Sequence, residues 1–64
     1  MDVSLSNQIL AIVTIDAFKV AEGGSPVFYA MNQEEQEKVS LLLARILGGL
    51  VHDLENGVYI IVRH

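Results

Sequence analysis

Apolar side chains recur at helical spacing between Asn32 and Gly57, and the rest of the chain is arranged around that run. At about 100° per residue, Val39, Leu42, Leu43, Ala44, Ile46, Leu47, Leu50, Val51 and Leu54 fall into one broad stripe. The stripe is wider than a surface helix needs. The opposite side carries Glu34, Lys38, Arg45, His52 and Glu55, with Leu41 standing among them. Asn32 is a good N-cap, and Glu35 three residues on completes a capping box. Glu34, Glu35 and Glu37 sit where the positive end of the helix dipole favours them, and Glu34 precedes Lys38 at i,i+4. Asn56 and Gly57 supply a stop. Gly48 and Gly49 each cost about 1 kcal/mol relative to Ala inside a helix. The pattern is read as one continuous helix with a weak point at these glycines. A helix ending near Leu47 before a second short helix, a kink, and a close helix approach are the alternatives.

Leu5 to Ala21 reads as a first helix, capped by Asp2 or Ser4, carrying Asp16 and Lys19 at i,i+3 and stopped by Gly23-Gly24. Its β-branched residues Ile9, Ile12, Val13, Thr14 and Ile15 support a buried strand instead, and both readings stand. Gly23 to Pro26 make a turn into a short strand, Val27 to Met31. Val58 to Arg63 alternates as a second strand with Val58, Ile60 and Val62 on one face. The resulting expectation is a small α+β domain in the order helix, strand, helix, strand, with one long amphipathic helix. Two strands are rarely stable alone, so the sheet is expected to be completed by oligomerisation.

Composition strengthens that expectation. A chain of 64 residues without cysteine forms one domain near the lower size limit for folding, with no disulfide framework. Its 52% hydrophobic residues are more than so small a monomer readily hides. A homo-oligomer follows as the default. Eight acidic residues against four scattered basic ones disfavour nucleic-acid binding. Asp16 and Lys19 interrupt the apolar run beginning at Ile9 well short of about 20 residues, so no membrane span is expected. No Lys or Arg precedes that run, against a signal peptide, and Met1 fits a whole small gene product placed in the cytoplasm.

Candidate chemistry is sparse. On a continuous helix His52 and Glu55 share a face and could contact a metal or ligand, but two ligands are fewer than a zinc site requires. His64 or a second subunit would have to supply more. No nucleophile elbow, Walker loop or dinucleotide fingerprint occurs, and no motif calls for a cofactor. The functional reading is therefore binding or regulation through contacts with a protein partner, with catalysis not expected. Leu41, Gly48, Gly49 and Ile60 are the candidate interface residues. The alternative is a small-molecule or metal binder, or an enzyme, with a site at the subunit boundary lined by Tyr29, Arg45, His52 and Asp53.

Overall fold

The computed structural model describes residues 8–20 and 23–63. It is an α+β structure in which one long amphipathic helix lies on a four-stranded mixed sheet. In chain order the elements are β1 (Ile9–Thr14), a 3-10 turn (Ala17–Lys19), β2 (Val27–Tyr29), α1 (Gln33–Leu47), β3 (Gly49–Asp53) and β4 (Val58–Arg63). The sheet order is β2-β1-β4-β3, with β1 and β2 parallel and the other neighbours antiparallel. All four strands come from one chain.

Two assignments are corrected. The first apolar segment is strand β1, not helix, over its described part, because five β-branched residues in seven pack better on a pleated surface than round a helix. Asp2, Ser4, Leu5 and Ala21, which bounded the expected helix, lie outside the described residues. Asp16 instead caps the 3-10 turn, accepting from the Phe18 N–H, and Lys19 Nζ donates to the Asn56 carbonyl.

The second correction concerns the continuous helix to Gly57. α1 ends at Leu47, and Gly48 adopts the left-handed conformation (φ 73°) while its N–H donates to the Ala44 carbonyl. The pair read as a weak point is the stop. Gly49 opens β3, where an added Cβ would lie 2.6 Å from the Val62 carbonyl oxygen and 2.9 Å from Ile61 Cγ2. Asn56 and Gly57 belong to the turn between β3 and β4. There Asn56 Oδ1 accepts from the Val58 N–H, Asp53 Oδ1 accepts from the Glu55 N–H, and Glu55 (φ 64°) and Gly57 (φ 91°) take positive φ.

The helix start forms as the sequence indicates. Asn32 Oδ1 accepts from the Glu35 N–H at 2.9 Å, and Glu35 reaches back to the Met31 N–H at 2.7 Å, one residue before the cap's own N–H.

Strand register decides which side chains meet the helix. Val13 pairs with Tyr59, and Ala11 and Val51 pair with Ile61, so these residues share the covered face. Val13, Ala30 and Tyr59 form the buried core, with Val39 and Leu43 of α1 and Val51 packed against them. Ile61 and Val13 are fully buried, which contributes roughly 2 kcal/mol each.

Candidate protein-binding surface

α1 presents two faces of unexpected character. Toward the sheet it buries Gln36 and Ser40, at 1% and 0% exposure, alongside Val39 and Leu43. Away from it, Leu41, Leu42 and Ile46 are 61%, 50% and 75% exposed. Leu42 and Ile46 were expected in the buried stripe, and the structure moves them to the surface. The excess width of the stripe was the signal: only part of it fits over the sheet, and the remainder faces outward.

Gln36 explains how a polar residue comes to occupy the inner face. Its amide donates to the Val13 carbonyl at 3.0 Å and to the Gly57 carbonyl at 2.8 Å, joining the end of β1 to the β3–β4 turn. A buried amide is stable only when so partnered. Ser40 Oγ, also buried, has no partner among the described residues. Tyr59, at the core's edge, donates its hydroxyl to Glu37 Oε2 at 3.3 Å.

On the outer face, Lys38, Leu41, Leu42 and Arg45 border a shallow groove of about 420 Å³ with largely apolar walls. Lys38 and Arg45 are two of the chain's four basic residues. The sequence marks Leu41 as a candidate interface residue and Arg45 as lining of a ligand site, but gives no such role to Leu42, Ile46 or Lys38.

The back of the sheet is a second apolar surface. Register places Ile12, Val27, His52 and Ile60 together there, with Leu50 beside Val62 and Tyr29 beyond Val27. Leu50 is half-exposed and Ile60 partly so. The other two candidate interface residues separate: Gly48 is exposed at the helix end, whereas Gly49 is pressed against β4.

The readings on ligand binding fare differently. His52 lies on β3 and Glu55 in the following turn, so the shared helix face that motivated the pair does not exist. His64, the candidate third ligand, lies outside the described residues. Among the described residues no three His, Asp or Glu side chains gather in a metal-binding group. Tyr29 is on β2 and His52 and Asp53 on β3, the opposite outer strands, with Arg45 on the helix, so one chain does not bring the four together. Asp53 and Glu55 instead bound a depression of about 370 Å³ beside Gln33 and Tyr59. No helix among the described residues is long and apolar enough to cross a membrane.

A two-layer helix-on-sheet unit that leaves a row of leucine and isoleucine on its helix bare carries the kind of apolar surface found at interaction sites. The family described as "Capping complex subunit for YIEGIA" matches residues 6–64, and the chain belongs to that family. It is 41% identical over 64 residues to a Bacillus subtilis (strain 168) relative, "Uncharacterized protein YpzH", covering 100% of this chain and 98% of the relative. No solved structure matches the chain.

Proposed function

We propose that this protein is a binding subunit of the complex that caps YIEGIA, working in the cytoplasm and docking through the outer face of α1. Membership of the family supports the role. The observation that carries the surface assignment is the exposure of Leu41, Leu42 and Ile46 on the side of the helix away from the sheet, while Gln36 and Ser40 are buried. Exposed apolar area of this kind is stabilised when a partner removes it from water, at roughly 25 cal/mol per Å². The experiment is co-purification of the full chain with YIEGIA. The wild-type chain is retained, and a chain carrying Leu41→Gln and Ile46→Gln is lost from the complex with its circular dichroism unchanged. Equal retention of both would place the interface elsewhere.

A second reading, homo-oligomerisation, is favoured by the outer edge of β3, which carries half-exposed Leu50 and has β4 on one side only among the described residues. Light scattering across a dilution series tests it. A multiple of 7.0 kDa that survives dilution supports it, and 7.0 kDa throughout removes it.

A further inference from the structure

The groove on α1 is charged in a way that selects its occupant. Lys38 and Arg45 stand seven positions apart with Leu41 and Leu42 between them, so the two cations are about 10 Å apart along the axis. In a chain of eight acidic and four basic residues, half of the positive charge flanks this one apolar strip. Charge complementarity across an interface sets partner choice and register more than affinity.

A second copy docked groove against groove is a poor occupant. A two-fold axis through the groove sets Lys38 of one copy against Lys38 or Arg45 of the other, like charge on like. Sliding antiparallel helices until Arg45 meets Glu34 of the copy, by their numbering, sets Leu42 opposite Glu37, apolar against charged. Neither arrangement satisfies the apolar and the charged positions together.

We infer that the groove receives an amphipathic helix of a different protein, one that carries two carboxylates seven residues apart with adjacent apolar residues midway between them. Packed at 8–10 Å, such a helix sets its apolar pair on Leu41 and Leu42 and its carboxylates on Lys38 and Arg45. The inference rests on the capping reading and adds the chemistry of the segment that is bound.

The test is a titration of the full chain against its purified capping partner, at about 0.05 and 0.5 M salt. A K38E/R45E chain is expected to bind roughly tenfold more weakly at low salt. Exchanging the two matching partner carboxylates for lysine restores its binding. Wild-type affinity falls at the higher salt. Unchanged affinity of a folded K38E/R45E chain, or failure of the exchange to restore binding, overturns the groove assignment while leaving the capping reading standing. Should the double reversal not fold, K38Q/R45Q and the salt dependence of the wild-type chain decide on the same terms. A wild-type chain that forms no complex overturns the capping reading and the inference with it. Charge-dependent binding to phosphatidylglycerol vesicles in place of the partner overturns the inference by assigning the groove to lipid.

Discussion

The two faces of α1 each mix polar and apolar side chains. The inner face meets the sheet with an amide and a hydroxyl among its contacts, and the outer face meets solvent with leucine and isoleucine. Amphipathicity therefore does not by itself identify the buried side of a helix. The inner face serves the fold, because Gln36 supplies hydrogen bonds to the end of β1 and to the β3–β4 turn while Val39 and Leu43 pack against the core. The outer face adds little to the stability of the isolated chain, because Leu41, Leu42 and Ile46 remain largely in solvent.

The contrast can be broken at several points. The largest effect is expected at Gln36, where Gln36→Ala strips the Val13 and Gly57 carbonyls of their amide donor and opens a void. About 3 kcal/mol of stability should be lost in denaturant unfolding, and a loss under about 1 kcal/mol would show that the inner face does not depend on this residue. Gly49→Ala forces a Cβ against the Val62 carbonyl and should cost about 2 kcal/mol, visible as a lower Tm. Ser40→Ala works in the other direction, removing an unpartnered buried hydroxyl; a gain of about 1 kcal/mol is expected by the same measurement. The smallest effect on stability belongs to the outer face. Leu41→Gln with Ile46→Gln should change unfolding free energy by no more than about 0.5 kcal/mol while abolishing co-purification with YIEGIA, and marked unfolding would assign these side chains to the core.

Local chemistry made part of this architecture legible. Asn32 and Glu35 mark the helix start because capping needs only neighbours in sequence. β4, and β2 apart from its last two expected residues, were legible from alternation and β-branching next to turn residues. The end of α1 was obscured because Leu50, Val51 and Leu54 satisfy a helical period by coincidence, while Leu50 and Val51 pair with Val62 and Ile61 on β4 and Leu54 lies just past the end of β3. For β1 the β-branched residues carried the answer, but nothing local states that β4 and β2 will flank it. Of the residues that border the groove, the sequence points to Leu41 and Arg45, for different reasons. The contacts that mark the sheet-facing side, the Val13 and Gly57 carbonyls on Gln36 and the core against Val39 and Leu43, form only in the folded chain.

The twin hydrogen bonds of Gln36 carry a consequence for how the chain assembles. One amide group is satisfied only after the first strand and the last turn, lying on either side of it in sequence, have both arrived. Early docking of the helix on the first strand alone leaves half of the amide's donor capacity empty in a drying interior, a penalty that discourages partly built forms. The last turn thus acts as a latch: closing it satisfies the second half of the amide and fixes the orientation in which the bare leucines are displayed.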